Sequence, residues 1–529
     1  MAILIRNLRL TPFEEEAQLF EKAACKAGVP QDAFKNLRIV RCSLDARKKN
    51  DIHFLYTVRA ELEEEAAVLK KAARDVEPAP VDRAEPLVHG AQPLPHRPVV
   101  VGAGPCGMFA ALLLAQEGYR PILLERGVCV EERAEDVERF FSGGTLQENS
   151  NVLFGEGGAG TFSDGKLTTR IKDPRCTTVL RTLVELGAPA DAAYSSHPHI
   201  GTDVLRKVVA NLRRRIESLG GEYRFSTALT SLGVNGGVLV SLGTNRGVLP
   251  AAVCVLATGH SAEDVYAMLH AQGVELQGKP FAAGVRIEHP REMIDRAQFG
   301  KLAGNPRLGA AEYRLTSRHE DRGVYTFCMC PGGVVVASAS SPTGVVTNGM
   351  SYSARNGQNS NSAVVVQVNP DDFGGDAMRA LAFRREMEHR AFLAGGGDQT
   401  APAQKVGDFL HSQPSTGFDG VCPTYRPGVL PCDLSKVLPE FITAGLRAAL
   451  PAMGRQIAGF DMEDAVLTAV ESRTSSCVRI LRGASGECPA VAGLFPAGEG
   501  AGYAGGIVSS AVDGLRAAER IIAQYAPPR

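Results

Sequence analysis

One stretch constrains the fold of this chain more than any other: RPVVVGAGPCGMFAALLLAQEGYRPILLERG, residues 97–127. It reads as a buried strand, a glycine turn, an apolar helix and a second strand. Gly102, Gly104 and Gly107 form G-x-G-x-x-G, with Pro105 beside the second glycine, directly after Val99, Val100 and Val101. The first glycine permits a tight turn, the second admits a diphosphate, and the third lets helix and strand pack closely. The helix start supplies free amides and a positive dipole end. Glu125 ends the second strand, 18 residues past Gly107, where a carboxylate accepts hydrogen bonds from ribose hydroxyls. A carboxylate there suits the free ribose of FAD or NAD and disfavours the 2′-phosphate of NADP. Arg126 has two readings, a phosphate-facing guanidinium or an arginine lying beside adenine or in solvent.

At 529 residues the chain is long enough for about three domains, and the fingerprint sits well inside it. Residues 1–75 read as a small α/β, ferredoxin-like unit. MAILIRNLRL is its first strand, a helix follows with Thr11 as cap, Pro12 at its first position and Glu14 in the capping box, and two strands flank a charged turn. Residues 76–97 are a proline-rich linker. Residues 98–279 form the first part of the dinucleotide-binding domain, residues 280–465 a strand-rich inserted substrate domain, and residues 466–529 the second part. A helix is expected near 202–219, a strand near 222–230, a hairpin turn near Asn235, and helices near 376–394 and 434–450. The expected fold class is α/β: a discontinuous Rossmann-like domain with a β-rich α+β insertion and a small N-terminal βαββ domain.

With a formal charge of −1, nothing in the balance steers the chain toward nucleic acid or anionic membrane. The N-terminus has no uninterrupted apolar run of a secretory signal, and no run of about 18 apolar residues exists to span a bilayer. Twelve scattered cysteines fit reduced thiols, so a cytoplasmic location is expected. Cys328 and Cys330 form C-x-C without a second pair at zinc-ribbon spacing, so buried thiols are expected and no metal.

The fingerprint does not choose between FAD and NAD. Two distant segments do: Leu256-Ala257-Thr258-Gly259 and Phe495-Pro496-Ala497-Gly498-Glu499-Gly500. Both resemble the A-T-G and A-G-(D/E) motifs of the two-dinucleotide-binding-domain flavoprotein superfamily. That resemblance implies that Glu499 approaches the ribityl–pyrophosphate region of a non-covalent FAD. It further implies that Gly505 and Gly506 open a helix toward the flavin ring and that the Leu229 backbone meets the adenine. Longer blocks (NVLFGEGGAGTFSDGKLTTRIKD, GVYTFCMCPGGVVVASAS, VLTAVESRTSSCVRI and PAGEGAGYAGGIVSSAVDGLRAAE) resemble the uncharacterised FAD-dependent, or NAD-utilising, dehydrogenases of bacteria and plastids across nearly the whole chain. The resemblance implies an oxidoreductase and leaves the substrate open.

The second glycine loop, residues 155–165, reads either as an anion-binding nest built on Gly157, Gly158 and Gly160 or as a surface Ω-loop. Ser163, Asp164 and Lys166 are its ring-facing candidates. His199 is the histidine best suited by type to proton transfer, with helix bracing near Thr202 as the other reading. Arg473 either clamps a carboxylate or the flavin edge, or pairs with Glu471 or a nearby acid. Arg286, His289, Tyr313 and Thr474 are further candidates for the substrate domain. No second strand–G-x-G-x-x-G–helix unit occurs, so any NAD(P)H is expected to bind transiently at the flavin face. A small organic molecule is the expected substrate, with the electron acceptor open. Basic residues at Lys35, Arg38, Arg41, Arg47, Lys48 and Lys49 raise an RNA-binding alternative. Residues 1–95 hold 15 basic and 15 acidic side chains, which favours a solvated charged hairpin. A non-enzymatic flavin-binding redox protein is the other alternative.

Overall fold

The computed structural model describes residues 2–63, 65–71, 74–80 and 86–528, so residues 81–85 of the expected linker lie outside the described residues. The N-terminal unit runs β1 (Ala2–Leu10), α1 (Ala17–Ala27), β2 (Asn36–Asp45), β3 (His53–Glu61), α2 (Glu65–Lys71) and β4 (Val76–Pro78). Its sheet has the order β2-β3-β1-β4, antiparallel throughout. Ile3, Ile5, Leu19, Ala23, Val58 and Ala60 are buried between sheet and α1. Two expectations change here. The capping pair closes a separate turn, because the Thr11 amide donates to the Glu14 carboxylate at 2.7 Å while no side chain caps α1, which starts at Ala17. Residues 76–78 also leave the linker, since β4 adds a fourth strand against β1; the unit is βαββαβ.

The fingerprint domain contains β5 (Val99–Val101), α3 (Pro105–Gln116), β6 (Ile122–Leu124), α4 (Val130–Phe141), α5 (Arg175–Glu185) and α6 (Thr202–Ser218). It continues with β7 (Glu222–Arg224), a meander of β8 (Leu229–Asn235), β9 (Val238–Thr244) and β10 (Gly247–Pro250), then β11 (Cys254–Leu256), α7 (Glu263–Ala271) and β12 (Leu276–Gly278). Strand periodicity sends Val100, Leu123 and Val255 to one face, against α3 and α6, and Val99, Val101, Leu124 and Leu256 to the other, toward the meander. Both faces are covered, so these strands are apolar at every position. The strand expected over 222–230 breaks after Arg224, because Ser226 turns with φ 50°. Leu229 therefore begins the meander instead of ending that strand.

The insertion contains β13 (Phe281–Pro290), α8 (Arg291–Phe299), β14 (Thr316–His319), β15 (Arg322–Cys330), β16 (Val334–Ala337), β17 (Thr347–Met350) and β18 (Asn359–Val368). It ends with α9 (Ala377–Ala394), β19 (Ala401–Lys405), α10 (Val406–Leu410), β20 (Val429–Pro431), α11 (Glu440–Gly454) and β21 (Val466–Glu471). A seven-stranded sheet in the order β14-β15-β18-β13-β21-β19-β20 forms its body. The helix expected from 434 begins at Glu440, behind Pro439, since a proline disfavours helical geometry in the residue before it. The domain boundary expected at 465/466 moves past Glu471. β21 is fully buried and pairs with β13 and β19, so it belongs to the inserted sheet.

The chain returns through β22 (Val478–Ile480), which pairs with β12 as a two-stranded neck, then β23 (Leu494–Pro496) and α12 (Ile507–Gln524). β23 completes a five-stranded parallel sheet, order β23-β11-β5-β6-β7. α12 lies directly on α3, where a Cβ at Gly514 would stand 2.0 Å from the Cys106 carbonyl oxygen. Only glycine permits that approach.

Candidate cofactor site

The turn between β5 and α3 is shaped by glycines for separate reasons. Gly102 has φ 103°, and a Cβ there would lie 2.4 Å from the Ala257 carbonyl oxygen. A Cβ on Gly107 would lie 1.9 Å from the Gly102 carbonyl oxygen. Gly104 has an ordinary extended conformation, and the nearest atom to a Cβ on it would be the Gly158 Cα at 3.9 Å. Its lack of a side chain therefore keeps open the space above the first amides of α3, which Pro105 begins. Those amides lack intrahelical partners by the geometry of any helix start.

Glu125 is buried and already committed to the protein. Its carboxylate accepts the amides of Ala103 at 2.8 Å, Gly127 at 2.9 Å and Gly155 at 3.2 Å, which leaves roughly one of about four acceptor positions for a ribose hydroxyl. Arg126 takes neither expected role: it pairs with Asp264 at 2.7 Å and lies 4.5 Å over the Phe154 ring.

The second glycine loop folds over this turn. The Gly157 amide donates to the Ala103 carbonyl at 2.7 Å, a Cβ on Gly158 would lie 3.0 Å from the Gly104 Cα, and one on Gly160 would lie 3.0 Å from the Ile507 side chain. The loop thus bridges the starts of α3 and α12, and it is not a free surface loop. The Gly157 amide is used up in that bridge, so it cannot serve an anion nest. A residue that the motifs do not announce holds the loop: Arg133 of α4 is fully buried and donates to the carbonyls of Asn151, Val152, Gly155 and Glu156. Burial brings its guanidinium down to about 9. Glu156, also buried, accepts the Val130 amide at 2.8 Å, and burial pushes its carboxyl up to about 7.

The returning strand completes the enclosure. The Gly498 amide donates to Asp513 at 2.7 Å, and Asp513 is clamped by Arg482. Glu499 is partly exposed and accepts the Gly506 amide at 3.4 Å. Burial pushes its carboxyl up to about 7, opposed by that amide and by Lys279. A Cβ on Gly259, Gly505 or Gly506 would meet nothing within 4 Å, and one on Gly500 would stand 2.5 Å from the Gly259 carbonyl oxygen, so the Thr258-Gly259 turn lies against the returning segment. His260, another residue without a motif, follows this turn with Nδ1 3.4 Å from Glu499. Burial, then the charges of Arg384 and Arg473, bring it down to about 3, which keeps its ring neutral.

The remaining candidates fall into two ionic groups at the seam with the insertion. Asp164 and Glu312 share Arg355, whose Nε reaches Asp164 at 3.0 Å and Nη1 reaches Glu312 at 2.8 Å. His197 Nδ1 lies 3.1 Å from Glu312, and Lys166 lies 3.8 Å from it. His199 Nε2 faces the Ser353 carbonyl at 3.3 Å, and burial and then Arg355 lower its proton affinity. The bracing role at Thr202 belongs instead to Asp203, which accepts the Ser353 amide and hydroxyl. Arg473 is bound to Glu388 through Nε at 2.9 Å and Nη2 at 2.7 Å, with Ser340 on Nη1. Its partner is therefore not Glu471, which pairs with Arg286. His289 is buried against Phe460, and Tyr313 and Thr474 bond to Ser362 and Ala282. Of the two thiols expected to be buried, Cys330 is buried, which pushes its thiol up to about 11, whereas Cys328 is exposed, since its backbone turns with φ 42°. Among the described residues no cluster of three or more His, Cys, Asp or Glu could hold a metal, and no helix is long and apolar enough to cross a membrane.

Residues 280–474 match the family described as FAD-dependent protein, C-terminal domain-like, and residues 2–61 match a domain of unknown function. Among solved structures, glycine oxidase from Geobacillus kaustophilus shares 13% identity, with 81% of this chain and 95% of that chain covered and a TM-score of 0.32. L-amino acid deaminase from Proteus vulgaris shares 11%, with 84% and 96% covered and a TM-score of 0.33. Likeness that distant bears on no detail of chemistry. An uncharacterised protein of Clostridium beijerinckii is 46% identical over 534 residues, covering 100% of each chain. The chain thus belongs to the family of that Clostridium beijerinckii protein, and its residues 280–474 carry the match to the FAD-dependent C-terminal domain.

Proposed function

We propose that this flavoprotein is an oxidoreductase that moves a hydride between a small organic substrate and a non-covalently held FAD. The observation that supports the reading is the convergence of four glycine segments: the fingerprint turn, the second glycine loop, the Thr258-Gly259 turn and the C-terminal return. Gly104 lies under Gly158, Gly498 lies against Cys106, and Gly500 lies against Gly259. In this reading the diphosphate rests on the first amides of α3, where a helix start favours negative charge. The last free acceptor position of Glu125 takes a ribose hydroxyl. Glu499 and the amide end of α12 face the ribityl chain and ring. Bound flavin supplies the redox chemistry, so the protein contributes binding, orientation and exclusion of water.

The substrate side is the seam between the glycine loop and the inserted sheet, lined by Lys166, Arg355 and Glu312. Of the two weak catalytic candidates, Arg473 is saturated by Glu388 and Ser340, and His199 is oriented by a backbone carbonyl. Both are read as structural. Electrons leave to an acceptor, nicotinamide or other, that docks transiently at the flavin face.

The test is to purify the protein, identify the released chromophore, and compare it with Gly104→Val. The wild-type protein is expected to carry FAD and to bleach near ~450 nm when mixed anaerobically with its reductant. The variant is expected to fold, by circular dichroism, without retaining flavin. A variant that purifies with full flavin occupancy would remove the diphosphate from this turn.

A further inference from the structure

We infer that the N-terminal ferredoxin-like domain is a clamp: it grips the two segments that carry His197 and Glu312 and holds that pair closed beside the glycine loop. The first grip is a strand pairing. The Cys42 amide of β2 donates to the Tyr194 carbonyl at 2.8 Å, and the Ser196 amide donates back to the Cys42 carbonyl at 2.7 Å. Residues 194–200 then run on to the glycine loop. The Leu167 amide donates to the Pro198 carbonyl at 2.9 Å and the Ile200 amide to the Gly165 carbonyl at 3.1 Å. One short strap therefore pairs with the N-terminal domain at one end and with the glycine loop at the other, with His197 between.

The second grip is on the insertion. Arg307 lies 5.3 Å over the Phe54 ring, and its Nη1 donates to the Thr11 carbonyl at 3.4 Å. Ile52, in the turn before β3, is buried in the core of the large domains, and Ala46 and Phe54 pack against it. Arg307 sits five residues before Glu312. The two gripped segments meet at the His197–Glu312 contact of 3.1 Å. The domain thus fixes the backbone on both sides of that contact. Opposite-charge contacts between a half-exposed pair are weak when each side chain must be ordered for the purpose; clamped backbones reduce that ordering entropy.

His197 reports the clamp directly. Its hydrogen bond to Glu312 raises its proton affinity, against burial and against the charges of Lys166 and Arg355, which are the other charged groups facing it. In the FAD-loaded full-length protein, the imidazole titration of His197 is followed by NMR in three variants. Phe54→Ala weakens the second grip from the N-terminal side, Arg307→Gln weakens it from the other side, and Cys42→Pro removes a donor from the first. None of the three residues touches His197 or Glu312. The expected result is a midpoint that falls toward the ordinary histidine value of about 6.5 in all three, with Lys35→Ala, which loses only the pair with Glu63 at the end of the sheet remote from Phe54, leaving it in place. Arg307→Lys is expected to restore part of the shift.

A midpoint that stays at its wild-type value in Arg307→Gln and in a folded Phe54→Ala or Cys42→Pro protein would overturn the clamp. This readout does not depend on flavin chemistry: a moved His197 with retained flavin supports the clamp, an unmoved His197 overturns it whatever the flavin content, and the site reading stands or falls separately on the flavin content of Gly104→Val.

Discussion

A Cβ on Gly498 would stand 2.8 Å from the Cys106 Cβ and 3.0 Å from its Sγ, so the returning C-terminal strand and the fingerprint helix touch at a glycine. Gly498 also has φ 76°, a conformation that strains any other residue by about 1–3 kcal/mol. Gly498→Val is expected to push the return away from α3 and to lower FAD affinity by at least about tenfold, equivalent to ~1.4 kcal/mol. Because part of the clash is with the Cys106 side chain, Cys106→Gly in the same protein is expected to recover part of the affinity. Equilibrium dialysis of FAD against the two variants checks this; a double variant no better than Gly498→Val would mean that the φ strain alone acts.

Arg133 tests whether the glycine loop is a built part of the site. Among the described residues its guanidinium is the only donor to the carbonyls of Asn151, Val152 and Glu156, while that of Gly155 also accepts the Gly158 amide, and a buried carbonyl left unpaired costs about 1–3 kcal/mol. Arg133→Met keeps the length of the side chain and removes every donor. It is expected to lower stability by about 3–5 kcal/mol in denaturant unfolding and to release FAD. Arg133→Lys is expected to fall between, since one ammonium cannot span four acceptors. Wild-type stability with wild-type flavin content in Arg133→Met would show that the loop holds itself.

What the sequence shows of the site follows local rules, and what it hides is set at long range. Gly102, Gly104 and Gly107 are legible because strand, turn and helix lie within one short window. The strand-like runs of β13, β15, β16 and β18 are legible by their apolar and β-branched residues. Arg133 carries a faint signal: Val130, Val137, Phe140 and Phe141 define the buried face of α4, and Arg133 lies on that same face at helical spacing. A charged residue on an apolar face announces burial with partners, but not which carbonyls it meets. The partner of Arg473 is hidden for the same reason, since Glu388 lies 85 residues away in α9 and the nearer Glu471 is taken by Arg286. The capping box at Thr11 misled because its residues make the expected backbone contact one turn too early to start the helix.

The Arg473–Glu388 pair separates a structural arginine from a catalytic one. Both side chains are nearly fully buried. Burial opposes ionisation of Glu388, but Arg473 and Arg384 outweigh it and hold its carboxyl below the ordinary range. Arg473→Ala strands that charge with Arg384 Nε at 3.8 Å, so a stability loss of about 3–5 kcal/mol is expected. Arg473→Ala with Glu388→Ala is expected to lose clearly less than the sum of the two single variants. The rate of flavin reduction per bound flavin is expected to stay near wild type. A large fall in that rate with little change in stability would return Arg473 to the chemistry.

Glu156 gives the stability of the loop a pH dependence whose sign is fixed. Its carboxyl titrates at about 7 in the folded protein, raised by burial from an ordinary 4.5. Between those values the folded state keeps a proton that the unfolded chain has released. Stability therefore falls as pH rises through that window and is level above it. At ~1.36 kcal/mol for each pH unit, the penalty at neutral pH is about 2–3 kcal/mol, with no discount for solvent because the Glu156 side chain is fully buried. Glu156→Gln keeps an acceptor for the Val130 amide and carries no charge at any pH. Measured as Tm from pH 4.5 to pH 8, the variant is expected to start level with or below the wild type, to overtake it as pH rises, and to keep a constant advantage above about pH 7. The Arg213 guanidinium, 3.2 Å from Glu156, opposes this by favouring the ionised form. Curves for variant and wild type that run parallel across the whole range would mean that Arg213 compensates the burial fully and that the folded carboxyl titrates like a free one.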